Sequence, residues 1–363
     1  MQTISLCMIV KNEELCLGNC LSSVRDIVDE IVVVDTGSED ATKAIALQYT
    51  DKVYDFPWTD DFSSARNYSF EQATKEYILW LDADDIIRPG DQVMLKQLKD
   101  SLDSCVDCVL LKYNTGFDLY GNITFSYYRE RLVKRERHFQ WKEPVHEYLE
   151  VFGNIISSEV SVTHTKTQRT HSDRNLVIYE RLLSEKKALS PRGIYYYARE
   201  LKDNERYQKA IHFFNLFLDT GDGWKEDNIT ACAELAACYE HEKLPTQQHL
   251  ALLRSFLYDT PRAEICCGLG YLYKAIQDYR RAAFWFQLAT TLQKPENGYG
   301  FIREECWGYI PLMELAVCYD KLGMISLAEE CNESAAKLKP EDYAVKYNRQ
   351  YFQSVRSENN KVP

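Results

Sequence analysis

The sequence predicts an α/β domain with a mainly parallel sheet, followed by an all-α solenoid of helical repeats. In the first part, buried apolar runs alternate with segments whose apolar residues recur at helical spacing, which is the pattern of βαβ units. In the second part, small and aromatic residues recur at roughly the period of a helical repeat. We therefore expect the α/β domain over residues 1–170, a linker helix over 171–190, the repeats over 191–350 and a tail over 351–363.

The first two predicted strands both end in polar residues. The first, Ile4–Val10, is apolar and runs into the polar segment Lys11–Glu14. The second, Glu30–Val34, is followed by Asp35, and Ser38 is predicted to be the N-cap of the next helix because its hydroxyl can accept a hydrogen bond from the first helical turn. A third short strand and a further helix then lead to the fourth strand.

The most informative stretch is Tyr77–Leu81, five apolar residues followed at once by Asp-Ala-Asp-Asp at residues 82–85. A continuous apolar run predicts a buried strand, and ligands of open α/β sheets bind at the carboxyl ends of the strands. Asp82 and Asp84, two carboxylates spaced Asp-x-Asp, are suited to Mg²⁺ or Mn²⁺, although a solvated acidic turn has the same composition. Together with Glu13 and Asp35, acids follow three strands at one edge, which predicts a nucleotide-diphosphate site.

Four segments resemble family 2 glycosyltransferases of the GT-A fold, in order and spacing as well as in residues. They are Met8–Glu13, Val34–Ser38, Asp61–Asn67 and Trp80–Asp85. The resemblance covers about the first 165 residues and implies a GT-A domain that uses a nucleotide-sugar, a UDP-sugar in particular, with Mg²⁺ or Mn²⁺. The arrangement of this domain before helical repeats is also similar to bacterial peptide glycosyltransferases, such as the cysteine S-glycosyltransferases of glycocin biosynthesis.

The resemblance implies a role for each residue around the nucleoside. Val10, Lys11 and Glu13 would line its pocket, and Asp35 would accept a hydrogen bond from the uracil ring nitrogen. Arg66 would lie near the nucleotide. Two alternatives remain open, since Glu13 is also compatible with an ordinary first helical turn and Arg66 with a surface ion pair.

The same resemblance assigns the acidic turn to the diphosphate. Asp82 would face the ribose or a metal-bound water, Ala83 would contact the donor beside it, and Asp84 would ligate the metal that bridges the two phosphates. A divalent cation there would stabilise the charge that a departing nucleoside diphosphate gains.

The later part of the domain offers an acceptor-side base and one more metal ligand. A Pro-x-His-Glu element follows the nucleotide half in many relatives, and here it ends in His146 and Glu147. In an inverting displacement a carboxylate deprotonates the acceptor, so Glu147 is the candidate base, with His146 beside it. A strand residue exposed to solvent is the alternative for Glu147. GT-A enzymes often supply a late histidine to the metal, which makes His164 the candidate.

The helical repeats fit the tetratricopeptide pattern imperfectly. Successive copies of the motif begin at Ala198, Leu235, Leu269 and Leu315, at unequal intervals. Such units bury their apolar faces only by stacking, which predicts a solenoid. We expect the array to hold a peptide, protein or glycan acceptor on its concave face or to form a homodimer, with an inert scaffold as the alternative.

Composition restricts the class of protein. The net charge of −12 argues against binding to nucleic acid, no apolar run reaches the length of a membrane span, and twelve cysteines without a secretory signal favour a cytoplasmic protein with reduced thiols. Two other functions fit the sequence less well. A sugar nucleotidyltransferase needs a glycine-rich loop after the first strand, but no glycine occurs before Gly18. A non-catalytic repeat adaptor would not need acids at three strand ends.

Overall fold

The computed structural model describes residues 2–117, 123–165, 173–294 and 303–359. The chain divides into two compact units, Met1–Glu185 and Lys186–Pro363. None of the helices in these ranges has both the length and the apolar character that crossing a membrane requires.

The first unit is built on a large mixed sheet. Its strand order is β3-β2-β1-β4-β7-β6-β10-β5, and β8 pairs with β9 in a separate two-stranded sheet. The strands of the described residues are β1 (Ile4–Val10), β2 (Glu30–Asp35), β3 (Val53–Asp55), β4 (Tyr77–Trp80), β5 (Asp85–Ile86), β6 (Cys108–Phe117), β7 (Ile123–Lys134), β8 (Gln140–Lys142), β9 (Tyr148–Glu150) and β10 (Ile155–His164).

The pairing of these strands confirms the predicted, mainly parallel α/β fold. β1 lies parallel to β2 and β4, β2 is parallel to β3, and β6 is parallel to β10. Within the large sheet, as far as its described strands go, the antiparallel pairs are those of β7, which joins β4 to β6, and of the short β5, which pairs with β10. The separate pair of β8 and β9 is antiparallel as well. The carboxyl ends of β1, β2 and β4 therefore share one edge, as the sequence predicted.

In the described part of this unit, five α-helices accompany the sheet. They are α1 (Leu17–Val24), α2 (Thr42–Ala46), α3 (Phe62–Glu71), α4 (Pro89–Ser101) and α5 (Arg174–Ser184). α4 begins at Pro89, whose fixed φ suits a first helical position. The predicted N-cap role of Ser38 is wrong, because α2 begins four residues later and the Ser38 hydroxyl accepts a hydrogen bond from the backbone N–H of Asn12 at 3.0 Å. α5 belongs to the first unit, although the sequence placed residues 171–190 in a linker.

Both faces of the sheet are buried, which explains its continuous apolar runs. Alternate residues of β1, from Ile4 to Val10, pack with α1 in one core, while Cys7 joins a second core. The second core contains Trp80, and Trp141 packs edge-on against it with ring centres 4.7 Å apart. Because the strands are fixed from both sides, the positions of their ends are fixed as well.

The second unit is helical, as predicted. Its helices are α6 (Pro191–Asp203), α7 (Tyr207–Thr220), α8 (Lys225–His241), α9 (Pro245–Arg254), α10 (Ala263–Ala275), α11 (Tyr279–Thr291), α12 (Tyr309–Lys321), α13 (Ile325–Leu338) and α14 (Tyr343–Asn359). Only glycine fits at Gly270 on α10, since a Cβ there would lie 2.7 Å from the buried ring of Phe286 on α11. α14 runs past residue 350, where the sequence analysis began the tail.

Candidate functional site

A cavity of about 400 Å³ lies at the carboxyl ends of β1 and β4. Apart from Asp35, every residue predicted for the site lines it. Those residues are Val10, Lys11, Glu13, Arg66, Asp82, Ala83, Asp84, His146, Glu147 and His164. They come from five separate segments of the chain, so the fold brings together what the motifs list in sequence.

Arg66 joins the two sides of this cavity. It lies on α3 with only 9% of its side chain exposed, and its Nη2 donates to Asp82 Oδ1 while its Nε donates to Glu147 Oε1, both at 2.7 Å. The guanidinium also lies over the rings of Trp80 and Trp141, at 5.1 and 4.8 Å from their centres. Arg66 is thus a buried bridge between two carboxylates, and the surface ion pair weighed from the sequence is excluded.

Arg66 and its carboxylate partners favour each other's charged forms. Burial disfavours the ionised form of Asp82, but the charges of Arg66 and Arg131 and the hydrogen bond from Arg66 outweigh burial and lower the pKa of Asp82. In the same way burial opposes the charged form of Arg66, but Asp82 and Glu147 raise its pKa. Both partners are therefore charged at neutral pH.

A cluster suited to a cation lies beside the bridge. Ligand atoms of Asp84, Asp85 and His164 all lie within 4.8 Å of one another. His164 Nδ1 is 3.5 Å from Asp84 Oδ1 and 3.7 Å from Asp85 Oδ1. These contacts raise the pKa of His164 to about 9, so a cation bound through this nitrogen would have to displace a proton.

Strand pairing holds this cluster together. His164, the last residue of β10, is the register partner of Asp85, the first residue of β5. The next residue, Thr165, donates from its backbone N–H and its hydroxyl to the carbonyl of Asp84, at 2.8 and 2.7 Å. The ends of β5 and β10 therefore fix the two predicted metal ligands against each other.

Asp85 is the member of the cluster that the sequence analysis did not assign. One of its oxygens, Oδ2, accepts the backbone N–H of Asp82 at 3.0 Å and lies 3.0 Å from Nη2 of Arg131, and both of these side chains are fully buried. Its other oxygen, Oδ1, is buried without a hydrogen-bond partner in the described part of the chain. Two carboxylates and an imidazole fit Mg²⁺ or Mn²⁺, and the buried oxygen of Asp85 gives such an ion a third protein group.

Asp35 does not line the cavity, although its neighbour Thr36 does. Its Oδ1 accepts the backbone N–H groups of Gly37 and Ser38, each at 2.7 Å. Its Oδ2 is buried and has no hydrogen-bond partner among the residues described. Asp35 is therefore held rigidly with one acceptor unused, next to the cavity wall.

His146 and Glu147, the pair predicted for the acceptor side, line the same cavity as the acidic turn. Glu147 keeps 14% of its side chain exposed, and His146 has a left-handed backbone with φ 53°. That conformation is uncommon for a residue with a Cβ, and such strain is found at functional sites when the surroundings enforce it.

Six lining residues lie outside the predicted set. Ile9, Thr36 and Val145 are each next in sequence to a predicted residue. The other three are Phe62, which begins α3, and Arg174 and Asn175, which begin α5. Phe62 stands inside one of the motifs quoted above, so the signal for it was present. Arg174 and Asn175 follow the last motif, and no spacing in the sequence points to them.

Two parts of the chain match models of known protein families. Residues 5–155 match the family model for glycosyl transferase family 2, and residues 263–295 match a tetratricopeptide repeat model. The chain therefore carries a family 2 glycosyltransferase domain followed by tetratricopeptide-like repeats, as the four motifs and the repeat pattern predicted.

Individual relatives match parts of the chain. The TPR repeat-containing protein Synpcc7942_0270 of Synechococcus elongatus is 37% identical over 150 residues, which cover 41% of this chain and 36% of that protein. The SPbeta prophage-derived glycosyltransferase SunS of Bacillus subtilis is 27% identical, over 58% of this chain and 52% of SunS. The lipopolysaccharide core biosynthesis glycosyltransferase LpsC of Rhizobium meliloti is 27% identical, over 51% and 68%. The matches thus span only a third to a half of the first two relatives.

Proposed function

We propose that this protein is a metal-dependent, inverting glycosyltransferase that moves a sugar from a UDP-sugar to an acceptor. The observation that carries the proposal is the single cavity in which a cation cluster, a buried arginine bridge and an acceptor-side carboxylate meet at the ends of parallel strands. The family 2 match of residues 5–155 supports the same reaction class.

The nucleoside would bind on the β1–β2 side. Val10, Lys11 and Glu13 form that wall of the cavity. The unused, buried Oδ2 of Asp35 supports its assignment as the acceptor for the ring N–H of uracil, because leaving such an oxygen without a donor is costly. Asp82, held by Arg66, would then face the ribose.

Asp84, His164 and Asp85 would hold the cation. When bound, Mg²⁺ or Mn²⁺ supplies a Lewis acid to the diphosphate. Asp85 also fixes the turn itself, since its Oδ2 holds the backbone N–H of Asp82 while Arg131 balances its charge.

Glu147 would accept the proton of the acceptor. Its Oε1 is engaged by Arg66, which orients the carboxylate into the cavity and leaves the second oxygen for the acceptor. Because the same guanidinium binds Asp82, the base is positioned relative to the donor rather than relative to a flexible loop. His146 lines the cavity beside it and is the second candidate for this role.

We further propose that the second unit binds the acceptor, a peptide or protein, with a glycan as the alternative class. A cavity of about 280 Å³ on that unit is lined by Ile229 and Ile265, by Arg199 and Arg262, and by Trp307. Three arginines and three glutamates line it together with four apolar residues. Binding sites combine apolar side chains with polar groups that fix orientation, and this lining offers both to a peptide. A homodimer through the repeats remains the competing use of this unit.

We propose a reducing, cytoplasmic location, which the cysteines support. None of the twelve cysteines forms a disulfide in the structure, and all but Cys105 are at least partly buried. Disulfides are rare in cytosolic proteins and common in secreted ones.

Calorimetry with UDP, GDP and dTDP tests the donor side, first with Mn²⁺ and then with a chelator. We expect UDP to bind best and to lose affinity when the metal is removed. Asp84→Asn should reproduce that loss, whereas Asp26→Asn, a change at an exposed carboxylate far from the cavity motifs, should not. Equal UDP affinity with metal and with chelator would refute the metal role, and no affinity for any nucleotide would refute the proposed reaction.

The acceptor proposal needs a separate assay. Trp307→Ala should abolish transfer to a peptide acceptor and leave the slow hydrolysis of the donor unchanged. Trp224→Ala is the matched control, because Trp224 is half exposed on the same unit and does not line the cavity. If Trp307→Ala transfers to peptide at the wild-type rate, the second unit does not bind the acceptor through this cavity.

A further inference from the structure

Arg174 lines the catalytic cavity although it lies outside the four sequence motifs. It is the first residue of α5, and its guanidinium lies 4.7 Å from the ring centre of Phe62. Phe62 lines the same cavity, and its backbone N–H donates to the carbonyl of Pro144 at 2.8 Å. An arginine on an aromatic face loses little of its hydrogen-bonding capacity, because the ring binds the face of the guanidinium and leaves its edge N–H groups in the plane.

The cations of the cavity have different tasks. Arg66 forms ion pairs with Asp82 and Glu147, and His164 lies within 4 Å of Asp84 and Asp85. Among the described residues, Lys11 just after β1 and Arg174 at the start of α5 also bring cationic side chains to the cavity. Lys11 belongs to the wall proposed for the nucleoside, whereas Arg174 reaches the cavity from α5.

The diphosphate is the ligand group that matches this position. It carries two negative charges in the donor and gains a third when the sugar leaves. Arginine binds phosphate oxygens through two parallel N–H groups, which a lysine cannot do. Asn175, the next residue of α5, adds a neutral amide to the same wall, and the positive end of the helix has the favourable sign.

We propose that Arg174, held on the ring of Phe62, contacts the diphosphate of the donor and stabilises the departing nucleoside diphosphate. This inference rests on the proposed function. In the step concerned, the acceptor oxygen forms a bond to the anomeric carbon while the bond from that carbon to the phosphate oxygen breaks. The electron pair stays on the phosphate oxygen, and the positive charge of Arg174 stabilises the negative charge that develops there. The acceptor proton goes to Glu147.

The test separates recognition of phosphate from recognition of the nucleoside. The full-length protein is titrated, with Mn²⁺ present, with the nucleoside diphosphate that the wild type binds best and, by competition, with the matching nucleoside. We expect Arg174→Gln to lower the affinity for the diphosphate on the order of ten- to hundredfold and to leave the affinity for the nucleoside unchanged. Arg174→Lys should recover part of the loss, since it keeps the charge without the fork.

The control is an arginine in a similar setting elsewhere. Arg25 lies over the ring of Tyr49 at 5.7 Å and does not line the catalytic cavity, so Arg25→Gln should bind both ligands like the wild type. Unchanged diphosphate affinity in Arg174→Gln would overturn the inference and leave the proposed function standing. An equal loss for nucleoside and diphosphate would also overturn it, because Arg174 would then only shape the cavity. A wild type that binds no nucleoside diphosphate would refute both.

Discussion

Replacing Arg66 by methionine should destabilise the first unit by an amount that depends on pH. The substitution keeps much of the volume between the two tryptophans but leaves Asp82 and Glu147 without their shared cation. Removing one partner of a buried ion pair costs about 3–5 kcal/mol. Because 28% of the Asp82 side chain is exposed and water will solvate part of the charge, we expect the lower end, about 3 kcal/mol, at pH 7.

The pH dependence follows from the lowered pKa of Asp82. In the wild type the folded protein holds this pKa below its ordinary value of 3.8, so the resulting stability is complete above that value and is lost as the pH falls further. In the variant, Asp82 no longer has the guanidinium of Arg66 beside it. Protonation of Asp82 then removes a poorly compensated buried charge and so stabilises the folded state. The difference in unfolding free energy between wild type and variant should therefore be constant from pH 7 down to about 5 and narrow as the pH falls through 3.8 towards 3.

Differential scanning calorimetry provides the measurement, because the helical unit serves as an internal reference within the same molecule. A loss of about 3 kcal/mol corresponds to a fall of roughly 6–12 °C in the melting temperature of a unit of this size. Arg25→Met, at a side chain that is 60% exposed, should stay within about 0.5 kcal/mol. A deficit below about 1 kcal/mol, or one that is the same at both ends of the pH range, would refute the assignment of Arg66 as a charge bridge.

Three further predictions address the base, the repeats and the sheet. Glu147→Gln should slow transfer to an oxygen acceptor by on the order of 10²–10⁴-fold in steady-state assays, with donor affinity unchanged and a smaller effect for a thiol acceptor; wild-type rates would remove it from the mechanism. Gly270→Ala should lower only the melting transition of the helical unit, by about 1–3 kcal/mol, because its Cβ would meet the Phe286 ring, and a shift in the other transition would contradict this. Burial opposes ionisation of Glu30, but a hydrogen bond from Lys52 and others lower its pKa from 4.5 to about 2. The ionised Glu30 should contribute about 3 kcal/mol to the free energy of unfolding, a contribution that is complete above pH 4.5 and vanishes as the pH falls through 2. In urea unfolding, Glu30→Gln should therefore be less stable than the wild type at pH 7 and equally stable near pH 2. An equal deficit at both pH values would show that the charge of Glu30 is not the cause.

The strands and the acidic turn were predictable because burial on both faces leaves a local signal. Tyr77–Trp80 is apolar throughout, and the residues that follow must lie at the edge of the sheet whatever the rest of the chain does. The N-cap predicted at Ser38 was wrong because its hydrogen-bond partner is distant in sequence and leaves no local signal. A hydroxyl suits a helix start, but here Asn12 from the neighbouring loop donates to it, and a single sequence does not reveal such a tertiary partner.

The features of the site also fall into those that local sequence predicts and those that depend on tertiary contacts. Strand ends and named motifs predicted most residues of the cavity but not Arg174 or Asn175, and they did not predict how the residues pair. Nothing in the sequence indicates that Arg66 binds Asp82 and Glu147 together, since the two carboxylates lie on different elements. Asp85 was visible as the last acid of its run, yet its full burial against Arg131 depends on strand β7, which is distant in sequence.

The junction of β5 and β10 has a consequence for the order of folding. The hydroxyl of Thr165 reaches the carbonyl of Asp84 across 81 residues of chain, and β5 contributes only two residues to the pairing. Closing so long a loop is entropically unfavourable until the intervening strands have formed, so we expect the two halves of the cation cluster to meet late. A cation that requires both halves binds only the finished domain. Its binding would then report completed folding, and it would draw the last edge of the sheet into place by mass action.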